Sequence, residues 1–286
     1  NAYIDGEVKR TIQTYSAEVN LDLPFGTLTS LTALRKVKFN FVTPFFSNPI
    51  NPPAQIESTS FGKEDNSQFS QELRFAFDAW DGRLKGQTGA YFLKENNDRV
   101  EGQIQDFPTP AGSGTGIYPQ SVNARSVAVF GQVDFEIVPS LTATVGARMT
   151  WERKSGRFAG FKADAGPGRP PPLGSIGGYD VTGKKSWKAF TPRFALNWKA
   201  TDDVLLYASV ARGYKSGGFQ GLSGTASGAS TPYDPEFAWG YEVGAKTDWF
   251  DRRLRLNVAA FRTDYSDLQV SQLIPLCCVV VSNAAK

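Results

Sequence analysis

Apolar and polar residues alternate along most of this chain, and the alternation predicts long β-strands. Between Phe237 and Trp249 nearly every second side chain is apolar or aromatic, and the residues between them are small or charged. The same period of two recurs over Tyr15–Leu23 and Leu141–Trp151. This period is typical of a strand with one apolar face and one polar face. No segment shows a convincing 3.6-residue period, so the pattern predicts an all-β protein.

The stretch Trp187–Phe219 contains the repeating unit, which is a hairpin of two long strands. A polar turn at Ala200–Asp203 joins the strands, and the second strand is predicted to end at Gly217-Gly218. About ten such strands are expected, each about twice the usual length of roughly 5–6 residues. Short turns are predicted near residues 25, 81, 139, 201 and 251, and long loops at 40–66, 96–121, 155–185 and 217–235.

The strict alternation of short and long connections places every tight turn at one end of the sheet. This arrangement is typical of an antiparallel transmembrane β-barrel, with short periplasmic turns and long extracellular loops. Hydrocarbon offers no partners for backbone groups, so such a sheet must close on itself. Aromatic residues near the strand ends are expected in girdles at the membrane interfaces, with half-buried strand positions in a soluble protein as the alternative. They are Trp80, Trp151, Trp187, Trp198, Trp249 and Tyr214.

Composition excludes several classes of function. The 286 residues carry 31 Lys+Arg and 28 Asp+Glu, a net charge of +3, which lacks the concentrated basic footprint of a nucleic-acid-binding protein. No run of apolar residues is long enough for a transmembrane helix. The absence of His removes the commonest metal ligand and general base. The sequence therefore predicts no enzyme, no catalytic residue, no metal site and no cofactor.

The two cysteines, Cys277 and Cys278, are adjacent. A bridge between neighbours would be a strained vicinal disulfide, so the pair does not indicate a disulfide framework. Three interpretations stay open: two small apolar residues in or near a loop, a vicinal disulfide, or a contact to a partner.

Several segments together resemble one family. Tyr207-Ala208-Ser209, followed by Arg212–Phe219 with the sequence RGYKSGGF, is similar to the barrel signature of TonB-dependent outer-membrane receptors. Further segments that resemble this barrel in the same order are SQELRF (70–75), AVFGQVDF (128–135), TATVGARMTWERK (142–154), TPRFALNWKATDDVLLYAS (191–209), YEVGAKTDWFDRRLRLNVAAF (241–261) and TDYSDLQV (263–270).

The resemblance implies a fold and a location. The family's barrel has 22 strands and is plugged by an N-terminal globular domain, so residues 1–286 are expected to be one part of a single barrel domain. The plug domain, the segment that contacts TonB and the C-terminal strands are expected to be absent. The implied location is the outer membrane of a Gram-negative bacterium, with outer-membrane lipid and TonB as partners. A part-barrel with two open edges is not expected to form a stable soluble monomer.

The resemblance also implies a function, namely TonB-energised uptake of a scarce nutrient, with a ferric siderophore as the expected ligand. The alternatives are a passive porin-like or structural barrel, and uptake of vitamin B12, an oligosaccharide or another metal complex. The absence of His argues against haem uptake through a His ligand in these loops. Aromatic and basic residues at the loop ends are the candidate contacts to an anionic chelate, and lining the wall without touching ligand is their alternative role. They are Tyr118, Arg169, Tyr179, Arg212, Tyr214, Phe219 and Tyr233.

Overall fold

A computed structural model describes residues 6–48, 56–106, 114–163, 178–274 and 278–284. Ten strands form one antiparallel sheet in sequence order, which confirms the predicted all-β class and strand number. The strands are β1 (Glu7–Leu23), β2 (Gly26–Asn48), β3 (Ile56–Ala79), β4 (Leu84–Asp106), β5 (Gly114–Val138), β6 (Leu141–Ala163), β7 (Tyr179–Thr201), β8 (Val204–Lys215), β9 (Glu236–Trp249) and β10 (Leu254–Ser266). The sheet is open, with β1 and β10 at its two edges.

The five predicted tight turns are all present at one end of the sheet. Two of them place non-glycine residues at positive φ, which is uncommon outside turns. Trp80 and Asp81 have φ of 55° and 54°, and Phe250 and Asp251 have the same pair of values. In both turns the fourth residue donates its backbone N–H to the first carbonyl oxygen at 3.1 Å. These turns therefore fix the register of their hairpins locally.

The predicted long loops at 40–66, 96–121 and 155–185 are mostly wrong, because the flanking strands extend deep into them. β2 and β3, for example, pair continuously from Thr27↔Ala76 to beyond Val42↔Phe61. The alternation fades there because polar residues occupy both faces of these extensions. We call the extensions the far half of the sheet. On the side of the tight turns, the far half ends at the boundary row, which is formed by the directly paired residues Phe69, Lys94, Arg125 and Arg153.

The fourth predicted loop is a genuine loop. β8 ends at Lys215, close to the predicted Gly-Gly end, and the chain returns to the sheet at Glu236. We call the intervening segment, residues 216–235, the docked loop. It contains one short helix, α1 (Ala226–Ser230), whose Thr225 hydroxyl accepts a hydrogen bond from the N–H of Gly228 at 3.1 Å. The docked loop packs on the far half of β6 and β7, and the face that it covers is the inner face of the sheet.

A separate two-stranded hairpin comes after β10. It consists of β11 (Gln269–Ile274) and β12 (Cys278–Asn283). The sequence predicts a tenth strand over 253–270 whose alternation holds only to about Ala260, and β10 ends at Ser266. Val281 donates its N–H to Oε1 of Gln220 at 2.9 Å, and the Asn283 amide donates to the carbonyl oxygen of Asp234 at 2.9 Å. The hairpin therefore contacts the docked loop. Cys277 lies outside the described residues, so the alternatives for the cysteine pair stay open.

The outer face of the sheet is apolar over its turn-side half. Val129, Phe190 and Val243 are 48%, 52% and 56% exposed, although all three are apolar. In β5 the apolar outer positions run from Val127 to Ile137, a distance of roughly 35 Å along the strand at the usual rise per residue. Tilted as in a membrane barrel, this length covers the roughly 25 Å of an apolar band. Among the described residues, no helix is long or apolar enough to cross a bilayer.

Three of the predicted girdle tryptophans, Trp151, Trp198 and Trp249, lie exposed on this outer face. Trp187 does not, because its residue position alternates to the inner face, where it is only 6% exposed. The girdle prediction is therefore wrong for Trp187. Its burial results from the docked loop, which the alternation pattern does not reveal.

Candidate ligand-binding site

A cavity of about 250 Å³ lies between the inner face of the far half and the docked loop. The sheet contributes charged and amide side chains, and the loop contributes two aromatic rings. The lining residues with polar or aromatic side chains are Glu95, Asn97, Arg99, Gln120, Lys154, Phe219 and Tyr233. The site thus combines two cations, one carboxylate and an aromatic wall.

Two glycines allow the loop to approach the sheet closely. A Cβ on Gly217 would lie 2.4 Å from the carbonyl oxygen of Tyr233 and 2.7 Å from the Trp187 ring. A Cβ on Gly218 would lie 2.4 Å from the Tyr233 hydroxyl. The backbones of Gly218 and Tyr233 pair through hydrogen bonds of 2.9 and 3.2 Å, which close the base of the loop. Both glycines have ordinary backbone angles, since the described glycines with positive φ are Gly26 and Gly82.

Lys154 links the sheet to the start of the docked loop. Its Nζ donates to the carbonyl oxygen of Gly217 at 2.8 Å and lies 3.2 Å from the Glu152 carboxylate. The same Nζ is 6.0 Å from the centre of the Trp187 ring. A charged donor to a carbonyl is among the stronger hydrogen bonds in a protein. Lys154 is therefore placed both to hold the loop and to present positive charge to the cavity.

Charged and amide groups form a network on the inner face of β3 and β4. The Asn66 amide donates to Glu95 at 2.6 Å, and the Asn97 amide donates to Glu64 at 3.0 Å. Arg99 lies 3.9 Å from Glu64 and forms an ion pair with Glu101.

Burial raises the pKa of the Glu101 carboxyl, and the nearby Arg99 charge opposes that shift. Both Glu101 and Arg99 lie in the far half, outside the apolar band. Within the described part of the chain, Asn97 Oδ1 and Arg99 Nε are buried without a hydrogen-bond partner. A buried polar group without a hydrogen-bond partner costs free energy. A ligand that supplies the missing hydrogen bonds would therefore bind more tightly.

Tyr118 and Tyr179, two of the predicted contacts, are buried beside the docked loop. Tyr118 is 2% exposed and packs against Leu222, and the Tyr179 hydroxyl donates to the Ser223 carbonyl oxygen at 2.7 Å. Burial, together with the nearby Tyr118, raises the pKa of Tyr179 to about 12, and burial raises the pKa of Tyr118. Both residues lie near the far ends of their strands. In this arrangement both side chains contact residues of the docked loop.

Phe219 and Tyr233 line the cavity itself. The Phe219 ring lies 5.4 Å from that of Phe158, which is 1% exposed, so the loop is anchored by an aromatic pair. Burial also raises the pKa of Tyr233. The structure therefore brings four of the seven predicted residues together, namely Tyr118, Tyr179, Phe219 and Tyr233. Their role in binding a ligand stays a prediction.

The other three predicted residues are not in this group. Arg212 and Tyr214 lie on the outer face of β8, where the Arg212 guanidinium is 3.9 Å and the Tyr214 ring 5.5 Å from the centre of the Phe237 ring. Arg169 lies outside the described residues. The binding role of all three likewise stays a prediction.

Sequence reasoning missed Arg99, Gln120 and Lys154, because it looked for ligand contacts in loops. All three lie on strands, at positions where the sequence pattern indicates loop or ordinary wall. Residue parity would have found Lys154. Lys154 continues the inner-face series of β6 that includes Thr144 and Arg148.

The fold by itself defines a class of protein. A long-stranded antiparallel sheet with an apolar outer face, tight turns at one end and a loop folded onto its inner face is the wall of an outer-membrane type of β-barrel. The family model "TonB dependent receptor-like, beta-barrel" matches residues 1–286, and the chain belongs to this family. Members of the family are Gram-negative outer-membrane proteins.

Curated relatives and solved structures agree with the family. The metal-pseudopaline receptor CntO of Pseudomonas aeruginosa is 35% identical over 82 residues, which are 29% of this chain and 11% of the relative. The pesticin receptor of Yersinia pestis is 24% identical over 77% of this chain and 30% of the relative. The ferric yersiniabactin uptake receptor FyuA of Yersinia pestis matches with a TM-score of 0.74 and 19% identity over 97% of this chain.

The siderophore receptor PiuA of Acinetobacter baumannii matches with a TM-score of 0.67 and 18% identity, again over 97% of this chain. At these identities the two solved structures show a common fold alone. The chain covers 38% of the FyuA chain and 42% of the PiuA chain. It therefore spans well under half the length of these proteins.

Proposed function

We propose that the chain is part of the wall of a TonB-dependent outer-membrane receptor that takes up a ferric siderophore. The observation that carries this proposal is the cavity beneath the docked loop, where Arg99 and Lys154 face two aromatic rings. An anionic iron chelate with aromatic or carboxylate groups would find charge and stacking partners there. Outer-membrane lipid and TonB, the latter through a plug domain elsewhere in the protein, are the further proposed partners.

One relative, described as a metal-pseudopaline receptor, supports a metal-chelate ligand over other nutrients. The cavity also has two cations and one carboxylate among its lining residues, so it favours an anion. Within the described residues no cluster of three metal-ligating side chains occurs.

Binding of ferric siderophores to the full-length receptor tests this proposal. We expect one ferric chelate to bind in a fluorescence or calorimetric titration, and the double variant Arg99→Gln/Lys154→Gln to weaken its affinity by at least about tenfold, since each lost charged contact costs roughly 1.5–3 kcal/mol. The matched control is Lys199→Gln/Lys246→Gln, which removes two positive charges from the inner face near the tight turns. The control should bind as the wild type does.

A passive barrel would give a different result. In that case no ferric chelate would saturate the receptor, and uptake of a labelled chelate into cells would not depend on TonB. A vitamin or oligosaccharide receptor would bind its own ligand with no response to the double variant. Each of these outcomes would overturn the iron assignment.

A further inference from the structure

The ladder between β7 and β8 is much shorter than the ladder between β7 and β6. Pairing with β6 extends to Gly160↔Tyr179, at the first residue of β7, whereas pairing with β8 stops at Arg193↔Ala211. Beyond that point β8 continues beside β9 only, and the chain then folds inward as the docked loop. On this side of β7, no strand of the described chain pairs with the residues beyond Arg193.

The sequence explains where the ladder ends. Lys199 donates its N–H to Ser140 on the β6 side, so the backbone groups of the even-numbered residues of β7 point towards β8. Pro192 is one of these residues and has no N–H to donate. At the next such residue, the Arg212 guanidinium donates to the Phe190 carbonyl oxygen at 3.2 Å in place of a strand. Beyond Phe190 the side of β7 that faces β8 is open.

We call residues 182–188 of β7 the open edge. Thr182, Lys184, Ser186 and Lys188 lie on its outer face, and all four are exposed. Their backbone N–H and C=O groups point to the side where β8 is missing, and the described part of the chain offers them no hydrogen-bond partner there. An unpaired row of donors and acceptors on a strand is a template for another strand.

The open edge lies at and beyond the boundary row. Ser186 pairs with Arg153 of that row, and Lys188 pairs with Trp151, where the apolar outer positions of β6 end. The docked loop packs on the inner-face neighbour Trp187 and leaves the outer face of the open edge exposed. A strand partner from outside the chain therefore has access to this edge above the apolar band.

The open edge is also basic, and its charges are uncompensated. Lys184, Lys185 and Lys188 are exposed, and none of them forms an ion pair with a described residue. The acidic residues at this end of β6 and β7 are engaged elsewhere, because Glu152 and Asp180 already pair with other cations. Opposite charges at directly opposite cross-strand positions stabilise a strand pair. The edge therefore favours a strand that carries acidic side chains.

We propose that the open edge is a docking site for an extended, acidic segment of a partner protein, which adds to the sheet as a strand antiparallel to β7. Backbone hydrogen bonds supply the affinity, and acidic side chains opposite Lys184 and Lys188 supply the specificity. The antiparallel direction follows because the segment continues the line of β8. This interaction is separate from the proposed uptake of a ferric siderophore.

The test measures peptide binding to the detergent-solubilised full-length receptor by fluorescence anisotropy. The reference probe is a labelled peptide that alternates glutamate and threonine over about eight residues, within the usual range of strand lengths. Two further peptides carry N-methyl groups on the glutamate nitrogens or on the threonine nitrogens. With glutamates opposite the lysines, the glutamate N–H groups face β7, so their methylation should weaken binding roughly thirtyfold. Methylation of the threonine nitrogens should change the affinity little.

Receptor variants test the same edge from the other side. Ser186→Pro removes an N–H that faces the open edge and leaves the ladder with β6 intact, so we expect a loss of about tenfold. Lys184→Gln/Lys188→Gln should weaken binding about fivefold. The matched control is Lys36→Gln/Lys38→Gln, which removes two exposed outer-face cations from β2, a strand that is paired on both sides. The control should bind the peptide as the wild type does.

Several results would overturn the proposal. Equal effects of the two methylated peptides, or equal losses in the two double-lysine variants, would show that charge alone attracts the peptide. No binding of the reference probe to the wild type would show that the lysines protect the edge from other strands. Ferric chelate binding by Lys184→Gln/Lys188→Gln should equal that of the wild type, so this proposal and the proposed function fail independently.

Discussion

The turn-side half and the far half of the sheet use the same strands but bury opposite faces. In the turn-side half the outer face is apolar and exposed, as at Val129 and Phe190, and the inner face is polar. In the far half the buried residues, such as Phe158 and Tyr179, lie on the inner face beneath the docked loop. One half therefore needs hydrocarbon outside it, and the other makes its own small core. The difference separates the part that holds the wall in place from the part that is proposed to recognise a ligand.

The largest expected effect comes from a charge on the outer face of the turn-side half. Val133→Arg places a guanidinium near the middle of the apolar band and should lower the free energy of unfolding in liposomes by ~2–4 kcal/mol. Gln132→Arg, one residue away on the inner face, is the control and should cost far less. Urea unfolding of the full-length receptor measures both. Equal costs would mean that the two faces do not differ in environment.

A smaller effect is expected where the docked loop meets the far half. Gly217→Ala forces a Cβ against the Tyr233 carbonyl and the Trp187 ring, and overpacking of this kind costs about 1–3 kcal/mol. Gly213→Ala is the matched control, because the nearest atom to its new Cβ would be 3.7 Å away. We expect Gly217→Ala alone to expose residues 216–235 to limited proteolysis and to change Trp187 fluorescence. If residues 216–235 of Gly217→Ala were as well protected from proteolysis as those of the wild type, the docked loop would not depend on this contact.

The smallest expected effect concerns Tyr179 and depends on pH. The Tyr179→Phe variant loses the hydrogen bond to the Ser223 carbonyl, which costs about 1 kcal/mol. The folded pKa of about 12 lies above the unfolded value of about 10, so the unfolded chain releases this proton first as pH rises. The stabilisation is therefore complete below about pH 10 and is lost as pH approaches 12.

Protease protection of the docked loop, measured from about pH 8 to about pH 12, tests this expectation. The wild type should lose protection over the upper part of this range, and Tyr179→Phe should show a flatter profile from a lower starting level. Tyr15→Phe, at an exposed position of β1, serves as the control and should follow the wild type. A steep profile in Tyr179→Phe would assign the transition to another group.

The strands, the tight turns and the identity of the apolar face could be predicted from the sequence because they depend on local patterns. Alternation over Leu141–Trp151 requires only that one face meet an apolar medium. The turns at Trp80–Arg83 and Phe250–Arg253 close within four residues. The same reasoning placed the end of β8 within a few residues of Lys215.

The far half is harder to predict because polar residues occur on both faces of its strands. Without a change of environment across the sheet the period of two fades, and residues 40–66 have the pattern of a loop although most of them pair in β2 and β3. Arg99 was missed for the same reason, because it lies on a part of β4 that the pattern does not predict to be a strand.

The sequence by itself determined that the chain forms a long-stranded antiparallel wall with one apolar face, because neighbouring residues along a strand decide that outcome. Only the tertiary structure decided which residues meet where the strands approach the docked loop. Trp187 and Arg212 are both strand-end residues in the sequence pattern, yet the docked loop covers Trp187 on the inner face while Arg212 lies outside on Phe237. The packing of the docked loop on the sheet causes this difference. Its contacts join residues that are far apart in the chain, so a local sequence pattern does not predict them.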